Sequence, residues 1–111
     1  MKFPDDMDPE CIAICEAMNR FPGIETTESC CGHGNRAFRI FFYADSLDNL
    51  PQMSYFFGGC TRMPGWDLKV TNCELGPVYF MAIGPIGQQA YEDAGKIADK
   101  MNAYLKEQNG K

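Results

Sequence analysis

The sequence is short of basic charge, of histidine and tryptophan, and of long apolar runs. Ten Lys and Arg stand against 15 Asp and Glu, a formal net charge of −5. Non-specific affinity for nucleic acid rests on Lys and Arg neutralising phosphates, so extended nucleic-acid binding is not expected. No stretch is long and apolar enough to span a bilayer, so no membrane partner is expected either. The opening Met1-Lys2-Phe3-Pro4-Asp5-Asp6 lacks the basic region and apolar core of a secretory signal, which points to a cytoplasmic protein. Thiols stay reduced there, so the six cysteines do not read as a disulfide framework. No Cys-x-x-Cys pair occurs: Cys11 and Cys15 are four apart, Cys30 and Cys31 are adjacent, and Cys60 and Cys73 stand alone. Repeats are missing too, since 11 Gly and 7 Pro fall between apolar runs without a period.

What is present suits one folded domain spanning residues 1–111, with 45% hydrophobic and 23% charged residues. Asp8-Pro9-Glu10 reads as a helix start, with Asp8 as the cap and Pro9 at the first helical position. Cys11, Ile14, Cys15 and Met18 then recur at one helical face, and Phe21-Pro22-Gly23 stops the helix. Ile24 to Ser29 is a Thr-rich strand, and Ala37 to Tyr43 is a second strand whose density of aromatic and β-branched residues predicts burial on both faces. These two form a hairpin with residues 30–36 at its tip. A second helix capped by Ser46 or Asn49 carries Pro51 in its first turn and ends at Gly58-Gly59. Trp66 to Cys73 alternates apolar with polar residues, a turn follows at Glu74-Leu75-Gly76-Pro77, and Val78 to Ile83 reads as a central strand. Ala90, Tyr91, Ala94, Ile97, Ala98, Met101, Tyr104 and Leu105 keep helical spacing to the end. The order helix, hairpin, helix, hairpin, helix predicts an α+β two-layer sandwich, a four-stranded sheet with helices on one face. Its other face is then wet, or covered by a ligand or a second subunit.

The densest chemistry lies in Thr26-Thr27-Glu28-Ser29-Cys30-Cys31-Gly32-His33-Gly34-Asn35-Arg36. Gly32 and Gly34 let a backbone present N–H groups to a ligand, and Thr27, Ser29, Asn35 and Arg36 add donors for an oxygen-rich anion. The plainer alternative is a hairpin whose glycines supply positive φ. Arg39, inside an apolar strand, needs a carboxylate, a ligand anion or open solvent, and would join Arg36 on one surface if the strand turns it outward. Trp66, beside Arg62 in sequence, could stack on a base, or could pack over a sheet edge. Cys11, Cys15, the seven methionines and the Phe41, Phe42, Phe56 and Phe57 pairs read as core.

The run Met18 to His33 resembles the signature of the tRNA wybutosine-synthesis methyltransferase family. In that family a helix is followed by a Pro-containing turn and then by Thr-Thr-Ser-Ser-Cys-Ser-Gly-Arg. Thr26, Thr27, Ser29, Cys30 and Gly32 match that pattern, while Glu28, Cys31 and His33 depart from it. The resemblance implies a related fold, a ligand site at this loop, S-adenosylmethionine as cofactor and methyl transfer to a hypermodified guanosine in tRNA. The family's members are longer than this chain, and the arginine replaced by His33 bears on activity.

Two further chemistries compete for the loop. A zinc site would draw on Cys30, Cys31 and His33 with Cys60 or Cys73, but adjacent cysteines seldom point to one ion, so a metal is not expected. A nucleophilic thiol would pair Cys30 or Cys31 with His33. The sequence favours a binding domain for a nucleotide-like or other anionic small molecule, sensing or sequestering it. Its site is Thr27, Ser29, Cys30, Cys31, Gly32, His33, Gly34, Asn35, Arg36 and Arg39, with Arg62 and Trp66. A homodimer would be able to complete the pocket. The alternatives are a methyltransferase relative and an interaction module in which the loop is only a turn.

Overall fold

Pro9 opens the first helix, where its missing N–H costs no hydrogen bond, and α1 runs over Pro9–Asn19. A computed structural model provides the coordinates and describes residues 8–44, 49–57, 65–72 and 78–109. Asp8 occupies the cap position of α1, but its side chain makes no capping bond, contrary to the expectation from sequence. The carboxylate turns instead to a backbone N–H of the distant hairpin loop, which would otherwise be left without a partner. Ser46, the Gly58-Gly59 stop and the turn at residues 74–77 lie outside the described residues, as do Cys60, Arg62 and Cys73.

The remaining elements are β1 (Ile24–Cys30), β2 (Ala37–Ala44), α2 (Leu50–Phe57), β3 (Asp67–Asn72), β4 (Val78–Ile86) and α3 (Gln88–Asn109). All strand neighbours are antiparallel, in the order β1-β2-β4-β3. The sequence predicts β4 as a central strand, and β4 does lie between β2 and β3. It runs past its expected end at Ile83 because β2 keeps pairing with it as far as Ala37↔Ile86, whereas β3 pairing stops at Asp67↔Ile83. Pro85, which has no N–H to donate, thus falls where, among the described residues, β4 pairs with β2 alone.

One face of the sheet carries Phe38, Ile40 and Phe42 of β2 and Ala82 of β4, all fully buried. All three helices lie against it, through Cys11, Ile14, Cys15 and Met18 of α1, Met53 and Phe57 of α2, and Ala94, Ile97 and Met101 of α3. The two-layer α+β arrangement expected from sequence is therefore the observed fold. Burial of β2 on both faces is not observed. Arg39, Phe41 and Tyr43 point away from the helices and are half-buried, because no described element forms a third layer over them.

α1 and α3 lie side by side and run the same way. Asp8 and Tyr91, near their starts, both meet Cys31, while at the far end an Arg20 guanidinium N–H donates to Asn102 Oδ1. Both helix N-termini, the positive ends of their dipoles, are thereby brought to the hairpin tip.

Candidate functional site

The tip is built by a tight reversal between the last pair of the hairpin, Cys30↔Arg39, and its two strands. Gly32, His33 and Gly34 form a tight turn, closed by the Asn35 N–H on the Gly32 carbonyl, in which all three residues have positive φ, at 83°, 51° and 86°. Gly32 is required there: a Cβ would come within 3.1 Å of the Ala37 carbonyl oxygen. His33 is the one described non-glycine residue in the left-handed region, a conformation histidine tolerates better than most.

The loop N–H groups are consumed inside the protein. Cys31 N–H donates to Asp8 Oδ2 at 2.9 Å, and Gly32 and His33 N–H donate to the Cys30 and Cys31 sulfurs at 3.4 Å. Asn35 and Arg36 N–H both go to the Gly32 carbonyl, at 3.1 and 3.0 Å. Gly34 N–H meets the Tyr91 hydroxyl. A ligand cradle made of these amides, which the sequence suggests, is thus not what the loop offers.

The residues singled out in the sequence separate into groups. Thr27 lies at the β1 bulge, its hydroxyl donating to the Phe41 carbonyl at 3.3 Å. Ser29 faces the core side, beneath Cys11 and Cys15 of α1. Cys30 and Arg39 share the open face of the sheet, and Asn35 and Arg36 are exposed at the tip. Trp66 corrects its expected role in stacking on a ligand, being only 6% exposed. Its ring packs between Phe38 and Phe57, at centroid distances of 5.5 and 5.8 Å, and lies over Gly84, where the absence of a side chain makes room. Arg62 is outside the described residues.

Cys31 and His33 turn to the helix side of the tip and meet Asp8, which sequence reading placed only as a cap. Cys31 Sγ is 3.8 Å from His33 Nδ1, and His33 Nε2 is 4.0 Å from Asp8 Oδ2. The Cys31 N–H bond, above all, holds the Asp8 carboxyl below the usual carboxylate range, against a smaller opposing effect of burial. Burial, above all, pushes the Cys31 thiol up, helped by a hydrogen bond to Asp8. Tyr91, read from sequence as part of the apolar stripe of α3, brings its hydroxyl near the Cys31 sulfur, and this interaction, above all, raises the phenol's own pKa. The contacts run in the order of a Cys-His-Asp nucleophile, but the thiol is buried and holds its proton, and the loop amides are not free to receive an oxyanion.

On the open face, Arg39 lies between Cys30 of β1 and Ile83 of β4. Its Nε is fully buried and has no hydrogen-bond partner among the described residues. Along β2 from Arg39 come Phe41, which pairs with Met81, and Tyr43, whose hydroxyl bonds that of Tyr79 with the rings 4.4 Å apart. An apolar depression of about 370 Å³ lined by Pro51, Gln52, Tyr55, Phe56 and Tyr104 lies elsewhere. Tyr104 is thirteen helical residues beyond Tyr91, about 20 Å along α3 from the tip.

Set against family models, curated proteins and solved structures, the chain matches none of them. The likeness to the wybutosine-synthesis methyltransferases accordingly stands on the run Met18 to His33 alone.

Proposed function

We propose that the protein binds a small, nucleotide-like anionic molecule on the open face of its sheet, next to the hairpin tip. The observation that carries this reading is the orphaned Nε–H of Arg39. A buried donor left unpaired costs about 1–3 kcal/mol, and an oxyanion seated over the guanidinium would remove that cost with a charge-assisted bond. Arg36, exposed at the same end of β2, supplies a second cation for an anion larger than a carboxylate.

The surface beside Arg39 suits the rest of such a ligand. Along β2 from Arg39, Phe41 lies about 7 Å away and Tyr43 about 13 Å away at strand spacing, so a group carried on an anion held by Arg39 meets the Phe41 ring first. The Tyr43 and Tyr79 rings and the Phe41 and Met81 side chains offer flat, apolar, half-buried area for a planar group. Binding alone is enough for a sensing or sequestering role.

Calorimetry and thermal shift with nucleoside mono- and diphosphates, with inorganic phosphate alongside, test the reading. A ligand that raises the wild-type melting temperature should lose its effect on Arg39→Met, while that variant without ligand melts at or above the wild type, since it no longer buries an unpaired donor. Equal ligand shifts in both proteins, or none across the panel, would refute the reading.

A further inference from the structure

Asp8, Cys31 and His33 offer one oxygen, one sulfur and one nitrogen, all within 4.8 Å of one another. They come from the start of α1 and from the loop, on the helix side of the tip. We propose that these three side chains form a binding site for a borderline divalent transition metal ion, zinc being the best match, with the fourth position open to water or an anion.

The spacing is that of a site needing little adjustment. Zinc–sulfur and zinc–nitrogen bonds at a tetrahedral angle place the two ligand atoms about 3.6 Å apart. Cys31 Sγ and His33 Nδ1 are 3.8 Å apart already. Side chains two apart on a strand are held about 7 Å from each other. The run of positive φ at Gly32, His33 and Gly34 is what folds His33 back beside Cys31. Asp8 Oδ2 accepts the Cys31 N–H, and a carboxylate keeps further lone pairs on both oxygens, so it can ligate without giving up that bond. The Tyr91 hydroxyl lies near the Cys31 sulfur, where it can act as an outer partner of the kind that orients a ligating group.

Donor type selects the ion. One thiolate and one imidazole suit zinc or cobalt, whereas magnesium and calcium take oxygen ligands. On binding, the metal–sulfur bond replaces the S–H bond and the proton passes to solvent. With Cys31 and Asp8 both anionic the divalent site is neutral, and the two helix N-termini around it favour those anionic forms. His33 has a side chain 70% exposed, so the ion is reachable from solvent.

The test is cobalt(II) titration of the full chain, purified reduced and free of metal, followed by zinc displacement. Wild type should give a thiolate-to-cobalt charge-transfer band with the intense visible bands of a tetrahedral ion, abolished by one equivalent of zinc. Cys31→Ser should abolish the charge-transfer band. His33→Asn, chosen because asparagine also accepts positive φ, should weaken cobalt affinity about 100-fold or more. Cys30→Ser and Arg39→Met should leave the spectrum unchanged, which keeps this site separable from the anion site. The proposal falls if wild type gives no charge-transfer band, if that band survives in Cys31→Ser, or if His33→Asn titrates like wild type.

Discussion

The indole N–H of Trp66 donates to Asp93 Oδ2 at 3.1 Å, joining the residue before β3 to the second turn of α3 through the core. Asp93 is 4% exposed, and its other oxygen accepts from Gln89 Nε2 at 2.9 Å. A carboxylate this deep is tolerated because both oxygens are satisfied. Asp93→Ala leaves the indole N–H buried without a partner, and should lower stability by about 2–3 kcal/mol. Asp93→Asn keeps an acceptor and should cost about 1 kcal/mol. Urea midpoints that shift in this order, with an unchanged denaturant slope, would bear the account out; equal midpoints for the two variants would contradict it.

Two glycines should respond in opposite directions to the same substitution. At Gly84 a Cβ would sit 2.7 Å from the Trp66 ring, and the ring is fixed by Asp93 on its edge and by Phe38 and Phe57 around it. Gly84→Ala should therefore destabilise by about 1–3 kcal/mol, the cost of overpacking. Gly95 lies on the exposed side of α3 with nothing within 4 Å of its added Cβ. Gly95→Ala should stabilise by about 0.5–1 kcal/mol. Thermal melts of the two variants should move to opposite sides of the wild type.

The elements were readable because each carries its period in neighbouring residues. Cys11, Ile14, Cys15 and Met18 mark α1, and Phe38, Ile40 and Phe42 mark the buried side of β2. The same alternation of two puts Ser29 under the helices and Cys30 with Arg39 on the open face, but only once the bulge between Thr26 and Glu28 is known. Asp8 was out of reach: its partner Cys31 is 23 residues away, and nothing in local spacing chooses that N–H over those of α1. Tyr91 was hidden by its own apolar body, which places it in the α3 stripe while its hydroxyl serves the loop. Trp66 had a signal in Gly84, a glycine within an apolar strand, which marks a close approach by something bulky.

The thiols should differ in reactivity by position. Burial, above all, pushes the Cys11 thiol up to about 12 and the Cys15 thiol up to about 11. At pH 8 only about one Cys11 in ten thousand would be thiolate, and neither side chain is exposed. Brief iodoacetamide treatment followed by peptide mass mapping should find Cys30 modified, with Cys11 and Cys15 modified only after denaturation. Labelling of Cys15 at the rate of Cys30 in the folded protein would show that α1 opens far more readily than its packing implies.

Asp8 should leave a mark on the acid side of the stability profile. Its folded pKa is depressed, chiefly by the Cys31 N–H bond, so the carboxylate form is favoured in the native state. A depressed carboxyl contributes stability that is present above its unfolded value, about pH 4, and is lost as pH falls through the lower folded value. Asp8→Ala removes both the bond and the linkage, and should be less stable than wild type by about 1 kcal/mol at neutral pH. Every other acid is common to the two proteins and cancels in the difference. Urea midpoints taken from pH 7 down to pH 2.5 should therefore run parallel to about pH 4 and then converge. Curves that stay parallel throughout would mean that Asp8 binds protons alike in the folded and unfolded chain, and that its bond to Cys31 is not formed in solution.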